Sequence, residues 1–143
     1  MLAVIGFFAL AVFGLGAVSV ATDSDIISVP GLGQLPGIVG MVVAVAAFAA
    51  SLWVAVRSRH PSFLSVPMTA LITALAHLVA VWVGAVLAAG DLVVATAVAG
   101  DLVLGGPSAV LLVAAAIAAW GGVALRRTRA QHPRWPWEHD DER

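Results

Sequence analysis

The chain has 143 residues, 62% of them hydrophobic and only 10% charged, against a charged share of about 25% in soluble domains. Its net charge of −1 excludes nothing as a sum, but the seven Arg and eight acidic residues fall in a few breaks and a tail, leaving 1–22, 26–56, 61–90 and 102–125 without any Asp, Glu, Lys or Arg. A soluble fold of this size cannot hide so much apolar area in one core, and the absence of Cys removes disulfide and thiolate-metal sites.

An apolar helix needs roughly 20 residues to cross about 30 Å of hydrocarbon, and each of the four stretches contains such a run. The expected fold is all-α: an integral membrane four-helix bundle. Span one covers about 2–21 and ends at Thr22-Asp23-Ser24-Asp25, where carboxylates stop entry into lipid. Val29-Pro30-Gly31 and Leu35-Pro36-Gly37 are turn signals in the loop beyond it. Span two, about 38–56, closes at Arg57-Ser58-Arg59-His60-Pro61, a break short enough to make spans two and three antiparallel neighbours.

Span three covers about 66–89, with Ser65 as the expected cap and Pro67 where a missing N–H does no harm. It stops at Ala89-Gly90-Asp91. The segment 91–104 is apolar but too short to span, so it is expected to form a hairpin or short helix at the outer interface; Ala-Gly-Asp-Leu-Val occurs twice here, from Ala89 and from Ala99. Span four, about 107–125, opens after Gly105-Gly106 and is stopped by Arg126-Arg127-Thr128-Arg129. These spans make 1–125 the membrane domain and 126–143 a tail.

Orientation follows from the arginines. Arg57, Arg59, Arg126, Arg127, Arg129 and Arg134 flank one set of helix ends, whereas the other breaks carry Asp23, Asp25, Asp91 and Asp101. Basic residues near helix ends stay cytoplasmic, so both termini are expected inside (N-in/C-in) in a multi-pass protein of the plasma membrane. Ser19-Val20-Ala21 has the form of a signal-peptidase site, but no basic residue precedes it and the apolar run is long for a signal sequence. An uncleaved span is expected.

In lipid, helices associate through small residues that let backbones approach, and through hydrogen bonds between them. Such stripes occur on span three (Ala76, Ala80, Gly84, Ala88), span four (Ala114, Ala118, Gly122), span two (Gly40, Ala44, Ala47, Ser51) and, less regularly, span one (Gly6, Gly14, Gly16).

His77 is the ionisable residue within a span, and such a group is a functional hypothesis by default. Thr69 and Thr73 precede it at helical spacing and Ala80 and Gly84 continue the stripe, so this polar site is expected to point into the bundle. A neutral imidazole is tolerated there when both nitrogens find partners, and Thr73 and backbone carbonyls are the candidates. The bland alternative is a packing histidine, because a proton relay needs further acids or bases at that depth. Haem would need Met41 or Met68 as second ligand, and proton-coupled export of the small multidrug type uses a membrane-embedded carboxylate that the spans lack. No cofactor is expected, and no metal site either, since His132 and His139 have no companion ligands.

Trp53, Trp82 and Trp120 are expected near span ends as interfacial belt residues. In the tail, Arg126, Arg127, Arg129 and Arg134 form a basic cluster, Trp135 and Trp137 sit between prolines, and Glu138, Asp140, Asp141 and Glu142 reverse the sign. Anionic headgroups attract such a cluster. The arginines with Trp135 and Trp137 are therefore the candidate lipid-surface contacts; a docking peptide for a cytoplasmic partner is the alternative.

The Asp23-Ser24-Asp25-Ile26-Ile27 break, the Pro-Gly loop and the Arg134-Trp135-Pro136-Trp137-Glu138 tail resemble a domain-of-unknown-function family of small four-span integral membrane proteins from actinobacteria. The absence of Lys and the wealth of Ala, Val, Gly and Arg agree with a GC-rich genome. The resemblance implies membrane location and topology and brings no activity. The expected role is a structural or accessory membrane protein partnered by the lipid bilayer and by itself or another membrane protein, without nucleic acid. Alternatives are a channel or permease for a neutral solute lined by His77, and a phage-type holin. An enzyme is not expected, since the outer breaks offer only scattered Asp.

Overall fold

A computed structural model describes residues 1–23, 34–57 and 62–130, and among them every regular element is a helix. Helix α1 is Leu2–Thr22, α2 is Leu35–Arg57, α3 is Ser65–Ala89, α4 is Leu92–Leu104 and α5 is Pro107–Ala130. At 1.5 Å per residue the 21 residues of α1 rise about 31 Å, and α2, α3 and α5 are longer. The 13 residues of α4 rise about 20 Å, too little to cross a bilayer.

Local chemistry explains the boundaries. Asp23 ends α1 in the left-handed region (φ 47°), its N–H donating to the Ser19 carbonyl; Asp tolerates this conformation better than most residues. Helix α2 begins before the expected position 38. Pro36 is its second residue, where a proline N–H would have no intrahelical acceptor, so Leu35-Pro36-Gly37 opens the helix instead of making a turn. Ser65 is the first helical residue of α3 and not its cap: its Oγ donates to the Ser62 carbonyl at 2.6 Å, while Ser62 Oγ accepts from the Leu64 N–H at 3.2 Å.

Gly90 closes α3 with φ 66°, and Asp91 then caps α4, its Oδ1 accepting the Val93 N–H at 2.7 Å. The segment after span three is thus a short helix. Beyond Leu125, α5 continues to Ala130, because Arg126, Arg127 and Thr128 are good enough helix formers and arginines near a C-terminus favour the helix dipole.

Side-chain contacts fix how the helices run. Gly14 of α1 faces Val110 of α5 and Ala3 faces Gly122; Pro36 of α2 faces Gly84 of α3, and Gly40 faces Val81. Both pairs are antiparallel. Leu52 of α2 also reaches Gly122, so α2 and α5 run in the same direction. One end of the molecule consequently gathers the start of α1, the end of α2, the start of α3 and the end of α5. Arg57, Arg126 and Arg127 lie there, whereas Asp23 and Asp91 lie at the other end, where α4 begins.

Two buried clusters result. The larger draws Phe7 and Ala11 from α1, Ala44, Phe48 and Leu52 from α2, Ala70 from α3, and Leu111 with a run of alanines up to Ala119 from α5; its centre is the Phe7–Phe48 stack, with ring centroids 4.5 Å apart and planes 17° from parallel. The smaller is built by α3 and α4 alone, from Val81, Ala85, Ala95, Val98 and Leu102. Helix α4 therefore folds back on the last turns of α3.

Candidate functional site: a buried polar line on α3

Thr69, Thr73 and His77 are the polar residues buried as a whole among the described ones, and all three lie on one face of α3. Their spacing of four sets them on one line down the helix. His77 stands at the middle of the 25-residue helix, about 18 Å from either end, and only 5% of it is exposed. Its imidazole packs on Gly40 of α2. A Cβ added at Gly40 would come within 3.2 Å of His77 Cδ2 and Nε2, and would run into Val81 as well, so the absence of a side chain at Gly40 makes the room.

The expected partner of the ring is not there. Thr73 Oγ1 donates to the Thr69 carbonyl at 2.8 Å, the back-bond a helical Thr makes to its own preceding turn. His77 Nδ1 is wholly buried and has no hydrogen-bond partner among the described residues. The line past His77 is also different from the expected one. It continues through buried Val81 and Ala85, the positions four and eight residues on, whereas Ala80 and Gly84 turn toward α2 with Ala76 and Ala88. Those four small residues floor an open apolar groove walled by Val39 and Val43 of α2 and by Val79 and Val83 of α3.

The other stripes divide in the same way. Ala114 and Ala118 of α5 and Ala44 of α2 belong to the main cluster and Gly122 meets Leu52 of it, whereas Gly40 faces Val81 and His77, and Ala47 is half-buried. On α1, Gly14 meets Val110, but Gly6 and Gly16 have open space where a side chain would be. Met41 packs against the main cluster and Met68 faces outward, so neither shares the His77 site. No group of three His, Asp or Glu that could hold a metal ion occurs among the described residues.

At the basic end, the guanidinium carbon of Arg57 lies 4.8 Å from the centroid of the Trp53 ring, and that of Arg127 lies 4.8 Å from the centroid of Phe63. Sequence reasoning singled out Arg127 but not its ring partner Phe63; Arg57 with Trp53, four apart on a helix end, was the readable signal. Arg126 is exposed, and the side chain of Arg129 is outside the described set, as are Arg134, Trp135 and Trp137. Trp120 is exposed like Trp53, but Trp82 is half-buried and donates through Nε1 to Thr96 Oγ1 at 3.4 Å, tying α3 to α4.

Among the described residues the regular structure is all helical, and four of the five helices are long and apolar enough to cross a membrane, with one short helix folded against the third. The chain belongs to a family of unknown function, DUF6121, whose model matches residues 1–143. No curated protein and no solved structure matches it.

Proposed function

We propose that the protein is a small integral subunit of the plasma membrane, structural or accessory in role, with both termini cytoplasmic, that packs with itself or with another membrane protein. The observation that carries this reading is the apolar groove between α2 and α3, lined on the α3 side by Ala76, Ala80 and Ala88. Small residues spaced by four are what helices use to approach in lipid; of this set Gly84 already packs on Pro36, while Ala76, Ala80 and Ala88 border the groove. The separation of Arg57, Arg126 and Arg127 from Asp23 and Asp91 supports the orientation, and the Lys-free, Ala- and Arg-rich composition accords with an actinobacterial source.

Extraction in a mild detergent followed by blue-native electrophoresis is the test. An assembly larger than the monomer, lost on replacing Ala76 and Ala80 by Leu, is the expected result; a lone monomer under every extraction condition overturns the reading. Impermeant labelling of an added Cys near Arg127 tests the orientation, and modification from outside intact cells would reverse it.

A second reading is favoured by the unpartnered nitrogen of His77: a path for a neutral solute along the Thr69–Thr73–His77 line. Flux in liposomes that His77→Leu abolishes supports it, and unchanged flux removes His77 from any path.

A further inference from the structure

The end of α2 and the start of α3, close in sequence, meet the distant end of α5 at the basic end of the molecule. Leu52 of α2 contacts the Gly122 position of α5, and Val56 of α2 packs on the same cluster as Val66 of α3. Just past these contacts come Arg57, Arg127 and Phe63, with each arginine held over a ring at 4.8 Å. Trp53 is 63% exposed and Phe63 41%, so the stacked groups sit on the rim.

Stacking uses the flat face of a guanidinium and leaves its N–H donors, which lie in the plane, free at the edge. A ring beneath also restricts a long side chain that would otherwise sample many rotamers, so less freedom is lost when the edge binds. Of the described carboxylates, Asp23 and Asp91 are at the opposite end, and Asp101 is on α4, which packs on the second half of α3. Arg57, Arg126 and Arg127 thus form a positive surface without a described counter-charge, beside exposed Val54 and Leu64.

We propose that this end of the molecule holds the phosphodiester of an anionic phospholipid, with Arg57 and Arg127 as two ring-supported forks and Arg126 as an added charge. Guanidinium edges match two phosphate oxygens at once. Exposed Val54 and Leu64 offer apolar surface to the acyl chains of the same lipid. An excess of positive charge selects an anionic headgroup over a zwitterionic one. The inference rests on reading the long helices as membrane spans.

The test uses the full chain in phosphatidylcholine vesicles with a graded fraction of phosphatidylglycerol, and native mass spectrometry to count the lipids retained on release. Wild type is expected to retain phosphatidylglycerol in preference, and Arg57→Gln and Arg127→Gln each to lower that preference about fivefold, the equivalent of one charge near an anionic surface. A double Lys variant keeps the charge but loses the stacked fork, so it should retain only part of the preference. Millimolar inorganic phosphate should not compete. Equal retention of both lipids by wild type, full preference in the double Gln or double Lys variant, or displacement by free phosphate would each overturn the proposal. Flotation with pure phosphatidylcholine vesicles separates the two failures: a chain that floats but shows no preference refutes the headgroup site alone, and one that does not float refutes the membrane reading.

Discussion

The two buried clusters are built on different plans. The Phe7–Phe48 cluster joins four helices whose contributing residues run from Phe7 to Ala119, whereas the α3/α4 cluster joins consecutive helices separated only by Gly90 and Asp91. In lipid neither is favoured by expulsion of water, so both depend on close packing and on hydrogen bonds. The first has a stacked aromatic pair and a field of alanines that let helices approach. The second has branched residues on a short helix and is held by its cap at Asp91 and by the Trp82–Thr96 bond. His77 lies on α3 between Ala70 of one cluster and Val81 of the other, at the seam. The first cluster is therefore made of long-range contacts and the second of local ones.

The strongest disturbance of that division is expected from Phe48→Ala, which removes half of the aromatic stack. A loss of about 2–3 kcal/mol is expected, at or below the low end of the soluble-core range because the transfer contribution vanishes in lipid. Unfolding in detergent or bicelles would measure it, and amide exchange should show α4 still protected on α3. Equal loss of protection in α4 would mean that the two clusters are one unit.

Gly40→Val tests the seam. The added Cβ meets Val81 and His77, and overpacking of this kind costs about 1–3 kcal/mol. Replacing His77 by Leu should work in the opposite direction, since it fills a similar volume and removes a buried nitrogen without a partner, a burden of about 1–3 kcal/mol. A higher unfolding midpoint for His77→Leu is expected. A clear loss of stability would show that the imidazole makes a bond that pins the seam.

At the acidic end the effects are smaller and local. Asp91→Ala removes the cap of α4 at about 1 kcal/mol, and faster exchange of the first α4 amides, with the Phe7–Phe48 cluster unaffected, is the outcome to look for. Trp82→Phe deletes a long 3.4 Å bond and should cost about 0.5 kcal/mol, visible only as a slight further loosening of α4.

Much of this arrangement was legible in the residues, for a physical reason. Hydrocarbon demands long charge-free helices, so α1, α2, α3 and α5 announce themselves, and Asp23, Gly90 and Gly105 mark ends that the structure places at Thr22, Ala89 and Leu104. What charge alone misjudges is where a helix leaves the apolar region: Arg126 and Arg127 continue α5 without a break. Pro36-Gly37 misleads because the same pair suits a turn and a first helical turn. The small-residue stripes read alike whether they face a neighbour or a groove, and only the neighbours decide that Ala114 is buried while Ala76 borders the groove. The His77 site was half legible: its inward direction follows from the Thr69–Thr73 spacing, but the Thr73 hydroxyl bonds its own helix, a choice between two acceptors that no spacing encodes.

The uninterrupted passage of α5 through Arg126 and Arg127 has a geometric consequence. On a rigid screw each added or deleted residue advances the remainder of the helix by about 1.5 Å and turns it by about 100°, so the azimuth of Arg127 over Phe63 is set by the phase of the helix from Gly122 onward. The registry between the alanine-faced half of α5 and its charged end is therefore a single mechanical coordinate, shared by the packing inside and the chemistry at the rim.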